Sequence, residues 1–446
     1  MTGGSTSGRL QPARQVKKRK KIPARADSQE PCGQYGHAMT TSHALLDCAL
    51  IHEARYRLKK RIRRTELIHS HHFSEVAGVP VWFKCENLQR TGAFKIRGAL
   101  NFMTSQSREA LVNGVITASA GNHAQGVAFS ADILGVKATV YMPESTPPQK
   151  VFATRDYGAE VVLTGRNFDE AYAAAVEAGR ESGALFVHPF DDHLVMAGQG
   201  TIGLEILEEM PDVANILVPI GGGGLIAGIA TAIKDTHPGV RIIGVEAKAA
   251  PSMHYSLQKG RILEVPLTVS LADGIAVKRV GQNTFPIVRE LVDEVVLVEE
   301  EDISMAIVAL LERTKLLVEG AGAVTLAAIL SGAARNLNGK TVCLLSGGNI
   351  DVKTISVVVE RGLVAAGRYL KLRIELDDLP GALARLATEI AKVRANISII
   401  THDRRSKSLP IGKTEVLIEL ETRGYEHISE VFDYLQGVGY EVEVMK

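Results

Sequence analysis

Between residues 79 and 345 the chain alternates short β-branched runs with longer amphipathic segments, a pattern that leaves few folds open. Residues 79–86, 115–118, 138–142, 160–163, 184–188, 216–220, 240–246, 294–298 and 341–345 read as strands, with helices over 124–134, 168–182, 202–210 and 225–234. Parallel strands need a crossover to bring the chain back, and helices supply it. The pattern therefore predicts an α/β fold with a mainly parallel sheet. Ligands in such folds bind beyond the carboxyl ends of the strands, where this chain places several polar, glycine-rich stretches. A further helix is expected over residues 44–58.

After a helix at 354–366 the order becomes strand (369–376), helix (381–393), strands (397–403 and 413–420), helix (427–436) and strand (440–445). This βαββαβ order predicts a small ferredoxin-like unit. The expected division is a disordered basic tail over 1–40, centred on Lys17-Lys18-Arg19-Lys20-Lys21, a large α/β domain over 41–366 and a small domain over 367–446. With 46% hydrophobic residues and a net charge of +1 in 446 residues, nothing in the global charge calls for a nucleic-acid partner. No apolar run reaches the ~18 residues of a membrane span. Cys32, Cys48, Cys85 and Cys343 are scattered without a Cys-x-x-Cys pair, which fits reduced thiols and a cytoplasmic location. His69-Ser70-His71-His72 lacks a cysteine or carboxylate at ligand spacing and reads as a polar turn.

Four stretches can carry chemistry. In Thr91-Gly92-Ala93-Phe94-Lys95-Ile96-Arg97-Gly98, Lys95 stands between two apolar side chains after a glycine turn. An ammonium there is poorly solvated, which favours the neutral amine that traps carbonyl compounds. The plainer alternative is a lysine whose stem covers apolar surface at a helix start. Ser119-Ala120-Gly121-Asn122-His123 opens a helix, where free N–H groups suit a carboxylate or phosphate, or where the polar side chains simply cap the helix. Gly221-Gly222-Gly223-Gly224-Leu225 leaves its amides uncovered, as a phosphate site requires. It also satisfies the G-x-G-x-x-A dinucleotide pattern, with Glu246 ending the next strand, so a nicotinamide cofactor stays open at this point. Ser346-Gly347-Gly348-Asn349 brings a hydroxyl to another strand end. An amine, an anion site, a phosphate cup and a hydroxyl together match the needs of pyridoxal 5'-phosphate.

In this order the four motifs resemble the serine/threonine dehydratase family of fold-type II pyridoxal-phosphate enzymes. The similarity covers about residues 44–366 and includes Val318-Glu319-Gly320-Ala321-Gly322-Ala323. Asp378-Leu379-Pro380-Gly381-Ala382-Leu383 resembles the first turn of an ACT regulatory domain. The resemblance implies a catalytic domain of two subdomains. Lys95, beside Phe94, would bond the cofactor's aldehyde and then remove the substrate's α-proton. Asn122 would meet the ring oxygen, Ser346 the pyridine nitrogen, and the amides of Gly221, Gly222, Gly223, Gly224 and Leu225 the phosphate. Ser119, Ala120, Gly121, Asn122 and His123 would hold the substrate carboxylate. A hydroxyl at the pyridine nitrogen does not keep it protonated as a carboxylate would, so β-elimination is favoured over transamination or racemisation.

Serine racemases carry a second serine where this chain has Ala120, and a methyl group carries no proton. The implied reaction converts L-threonine to 2-oxobutanoate and ammonia, with L-serine to pyruvate as a slower activity, in isoleucine biosynthesis or threonine catabolism. A serine racemase or serine dehydratase is the alternative, with a nicotinamide-dinucleotide enzyme or an amino-acid sensor beyond it. Asp378, Pro380, Gly381 and Leu383 would meet an amino-acid effector, and the chain would form a homo-oligomer, a dimer or tetramer. Relatives can bind a cation, here near Glu246, Ala250 and Ser252. The family's usual proline is replaced by Glu66.

Overall fold

The computed structural model describes Met1 and residues 46–403 and 410–445. The expected basic tail beyond Met1, residues 44 and 45 of the first expected helix, and Cys32 lie outside the described residues. In chain order the strands are β1 (Leu67–Ser70), β2 (Val81–Cys85), β3 (Val115–Ala118), β4 (Ala138–Met142), β5 (Glu160–Leu163), β6 (Leu185–Phe186) and β7 (Val213–Pro219). They continue with β8 (Arg241–Ala247), β9 (Glu294–Val298), β10 (Lys340–Leu345), β11 (Tyr369–Asp377), β12 (Asn396–Asp403), β13 (Lys413–Glu421) and β14 (Val442–Val444).

One sheet has the order β1-β2-β10-β7-β8-β9, parallel except for the edge strand β1. Its central strands alternate between two cores, because successive side chains of a strand point to opposite faces. Ile216, Val218, Ile242, Val342 and Leu344 pack on one side. Leu217, Ile243, Val245, Cys343 and Leu345 pack on the other. Burial on both faces is what a parallel sheet covered by helices demands. A second sheet, β5-β4-β3-β6, is wholly parallel and packs on the helix Asn122–Leu134 through Ala124, Val127, Ala128 and Ala131.

The C-terminal strands form a separate antiparallel sheet, β12-β13-β11-β14. Leu370, Leu372, Ile374 and Leu376 point to one face of it. There they meet Leu386 and Ile390 of the helix Ala382–Lys392 and Val431 and Leu435 of the helix Tyr425–Gly437. The βαββαβ order expected from the sequence is the order observed.

Three local expectations change. Residues 69–72 are not a turn: His69 lies in β1, and His71 begins the helix His71–Ala77, which Ser70 caps by accepting the Phe73 N–H at 3.4 Å. The strand expected over 184–188 is reduced to β6, because the His188 ring accepts the N–H groups of Phe190 and Asp191 and turns the chain. The helix expected from residue 202 starts at His193 and runs to Glu209. Gly198 and Gly200 weaken a helical reading of that stretch, yet they mark helix crossings. A Cβ on Gly198 would lie 2.5 Å from the Arg97 carbonyl oxygen, and one on Gly200 2.7 Å from that of Gly228.

Candidate active site

The carboxyl ends of β3, β6, β7 and β10 surround a cavity of about 920 Å³. Lys95 opens the helix Lys95–Thr104 in its wall, carried there by a turn in which Thr91 and Gly92 both take left-handed backbone angles, φ +69° and +71°. That conformation is unusual for threonine, and the segment around it is held from the opposite end of the chain. Phe94 donates its N–H to the Ser346 carbonyl at 3.1 Å, Gly348 donates to the Gly92 carbonyl at 2.8 Å, and Asn349 Nδ2 donates to the Thr91 carbonyl at 2.7 Å. The Lys95 ammonium rests on the Pro189 carbonyl oxygen at 2.7 Å and lies 5.3 Å from the centre of the Phe94 ring. Burial pulls it from 10.5 down to about 8, against the opposing charge of Glu319. The sequence expectation of a depressed lysine therefore has a geometry behind it.

Across the cavity Gly224 and Leu225 begin the helix Gly224–Lys234, and Gly223, at φ +94°, caps it. The N–H groups of residues 221–225 donate to no protein group among the described residues. A side chain would close this loop: a Cβ on Gly222 would lie 2.3 Å from the Phe190 ring, and one on Gly224 2.5 Å from the Phe190 carbonyl oxygen. The helix Asn122–Leu134 likewise starts without a side-chain cap, and the N–H groups of Ala120, Asn122 and His123 are uncommitted. Ser119 Oγ accepts from the Gly121 N–H at 3.2 Å. Ser346 is nearly buried, lines the cavity and has no hydrogen bond from its hydroxyl to the described residues. Free amides at two helix starts, an amine of lowered basicity and an open hydroxyl fit a group with a phosphate, an aldehyde and a heteroaromatic ring nitrogen.

The structure brings Phe94, Lys95, the 119–123 stretch, the glycine loop and Ser346 to this one cavity. The His123 ring turns inward, its Nε2 3.0 Å from the Val187 carbonyl oxygen, and burial lowers its pKa to about 3. Asp378, Pro380 and Gly381 lie in the turn between β11 and the helix Ala382–Lys392, Leu383 lies in that helix's first turn, and none of the four lines the cavity. Glu246 accepts the N–H groups of Met253 and His254 at 2.8 Å each and so caps the helix Ser252–Lys259. Its carboxylate is thereby committed, which removes the ribose partner that a dinucleotide site requires. Among the described residues no group of three or more His, Cys, Asp or Glu is placed to hold a metal ion, and no helix is long and apolar enough to cross a membrane.

Two participants were given no role from the sequence. Glu319 lines the cavity and accepts from Asn122 Nδ2 at 2.6 Å; burial and the nearby Asp273 charge raise its pKa to about 7. Asn349 Nδ2 bonds Asn122 Oδ1 at 2.8 Å, so these side chains form one chain of contacts. The available signal was a single carboxylate inside the chain's most apolar stretch, residues 316–330.

The chain matches the pyridoxal-phosphate dependent enzyme family over residues 58–347 and belongs to it. Within that class, an L-threonine ammonia-lyase of Geobacter sulfurreducens is 82% identical over 402 residues, 90% of this chain and 100% of the relative. Among solved structures, the processed form of threonine deaminase isoform 2 from Solanum lycopersicum superposes with a TM-score of 0.69 at 39% identity, over 73% of this chain and 90% of that one. Maize serine racemase gives 0.68 at 35%, over 72% and 98%.

Proposed function

We infer that this chain is a pyridoxal-phosphate-dependent threonine ammonia-lyase that converts L-threonine to 2-oxobutanoate and ammonia, with L-serine to pyruvate as a side activity. The observation that carries the reading is the Lys95 amine, lowered in basicity and facing a cavity with free amides at two helix starts. The 82% identical relative bears the same activity in its name. When bound, the cofactor supplies an aldehyde for amines and an electron sink that acidifies the substrate's α-hydrogen.

The chain's own groups do the rest. The amides of residues 221–225 hold the phosphate, Ser346 donates to or accepts from the ring nitrogen, and Asn122 orients the ring oxygen. The 119–123 stretch holds the substrate carboxylate and fixes which bond at the α-carbon faces Lys95. Lys95 Nζ, neutral in part near pH 8, takes the α-proton. Ala120 offers no group to return a proton from the other face, so the chemistry runs toward loss of the β-hydroxyl and away from the racemase reading.

We divide the chain into a catalytic part over 41–366 and an ACT-like regulatory part over 367–446, with an amino-acid effector at Asp378, Pro380, Gly381 and Leu383. What supports this reading is Gly381, at φ +84°, which caps the start of the helix Ala382–Lys392 there. The enzyme acts in the cytoplasm as a homo-oligomer. The test is the visible spectrum of the purified protein together with 2-oxobutanoate release from L-threonine, with and without isoleucine. K95A should lose both the absorbance and the activity. A colourless wild-type protein, or D-serine forming faster than pyruvate from L-serine, would overturn the assignment.

A further inference from the structure

His188 lies two residues beyond β6, and β6 pairs in parallel with β3, whose end leads into the 119–123 stretch. The two strand ends are tied together at Val187, whose carbonyl oxygen accepts from Thr117 Oγ1 at 2.8 Å and lies 3.0 Å from His123 Nε2. The residue after His188, Pro189, accepts from the Lys95 ammonium through its carbonyl oxygen. His188 thus lies in sequence between the carbonyl that meets His123 and the one that holds the Lys95 amine, and it lines the same cavity as Lys95, Asn122 and His123.

Its tautomer is fixed by the backbone. Nδ1 accepts N–H groups from Phe190 at 3.2 Å and Asp191 at 2.7 Å, so Nδ1 is the lone pair and Nε2 carries the hydrogen. The ring lines the cavity, and Nε2 has no hydrogen-bond partner among the described residues. The Phe190 ring stands at 90° to it with centroids 4.8 Å apart, and Tyr172 and Phe186 flank it at 6.1 and 6.3 Å, which leaves little freedom to rotate. Burial lowers its pKa to about 4, so it is uncharged in the working range.

We propose that His188 presents Nε2–H as a fixed, uncharged donor to the carboxylate of the amino-acid substrate, beside the open amides of Asn122 and His123. A donor with no acceptor face toward the cavity suits a carboxylate oxygen. A neutral imidazole whose other nitrogen is held by two amides neither gives up its Nε2 proton nor relays one, so His188 is a specificity residue and not an acid for the leaving hydroxyl.

The inference rests on the carboxylate reading of the 119–123 stretch, and two substitutions separate the functions of the two ring nitrogens. H188N places its amide oxygen near the position of Nδ1, keeping the turn, and removes the Nε2 donor. H188Q places an amide N–H near the position of Nε2 and loses the turn acceptor. With purified holoenzymes, H188N should raise KM for L-threonine about tenfold with kcat within about threefold, as loss of one hydrogen bond to a charged group predicts. Its visible cofactor spectrum should be unchanged. Butanoate, a carboxylate without amine or hydroxyl, should inhibit H188N about tenfold more weakly than wild type. H188Q should lower the thermal midpoint through loss of the turn acceptor, yet raise KM and weaken butanoate inhibition clearly less than H188N. Unchanged KM and butanoate inhibition in H188N, a fall in kcat alone, or equal damage in both variants would overturn the proposal. A wild-type enzyme that turns over threonine normally, yet whose KM is unmoved by S119A and H188N alike, would instead remove the carboxylate reading and this inference with it.

Discussion

Arg97 is fully buried two residues beyond Lys95, and its guanidinium is shared between two carboxylates. Nε and Nη2 bond Glu86 at 2.8 Å each, and Nη1 and Nη2 bond Glu205 at 2.7 and 3.0 Å. Lys84, also buried, reaches Glu205 at 2.8 Å, so two cations face two anions. R97M would leave Glu86 and Glu205 facing Lys84 alone, one buried negative charge in excess. Breaking a buried pair in this way costs about 3–5 kcal/mol. With a urea dependence of about 3 kcal/mol per molar, the unfolding midpoint should fall by roughly 1–1.7 M. Adding E86Q restores the balance, because the Lys84–Glu205 pair survives and the new amide oxygen can still accept from Thr65 Oγ1, which lies 2.5 Å from the Glu86 carboxylate. R97M/E86Q should therefore recover at least half of the lost midpoint in urea melts of the holoenzymes at pH 7.5. If the double variant falls as far as the two single losses added together, the cost lies in packing and the charge argument is wrong.

Between pH 4.5 and 8 four buried groups set the pH dependence of stability. Burial raises Glu246 to about 8 and Glu319 to about 7, so the stability they contribute is complete below pH 4.5 and is lost as pH rises through those values. Burial lowers His123 to about 3 and His188 to about 4, so theirs is lost as pH falls below 6.5. The opposing slopes cancel between pH 4.5 and 6.5, and unfolding free energy measured in urea should then drop by about 2–3 kcal/mol between pH 6.5 and 8; a steady rise over that interval would contradict the assignment. Burial pushes the Cys48 and Cys85 thiols up to about 12 and the Cys343 thiol higher still, so iodoacetamide at pH 8 should leave these three unlabelled in the native protein by peptide mass analysis. G224A directs a methyl group against the Phe190 carbonyl oxygen, backbone that has no side-chain freedom to yield, and should weaken cofactor retention at least tenfold by spectroscopic titration.

The parallel strands and the βαββαβ order were legible because each strand carries its own periodicity, and burial on one or both faces is written into adjacent residues. The four motifs were legible for a different reason: glycines and cap residues at strand ends have few other uses. Glu319 and Asn349 escaped assignment because their roles come from contacts across the fold, Asn122 with Glu319 and Asn349 with Thr91. Gly198 and Gly200 misled the helix boundary for the same reason, since the neighbouring backbone that excludes a side chain belongs to other segments. His188 looked like the end of a strand, and only the two amides that turn toward its ring take it out of the sheet.

The pairing of β2 with β10, Val81 against Thr341 and Cys85 against Leu345, has a consequence for how the protein is made. Synthesis delivers the chain from its N-terminus. The small sheet β5-β4-β3-β6 is encoded by one uninterrupted segment and can close while the rest is still being translated. Strand β2 can pair early with β1 on one edge, but its other neighbour is encoded more than half the chain later, and with that neighbour wait the contacts by which Ser346, Gly348 and Asn349 hold the turn before Lys95 in place. A nascent or truncated chain that ends before β10 carries Lys95 without the contacts that seat it. Capture of the coloured cofactor would thus report that translation has passed residue 349, which makes the ligand a marker of finished assembly as well as a reagent.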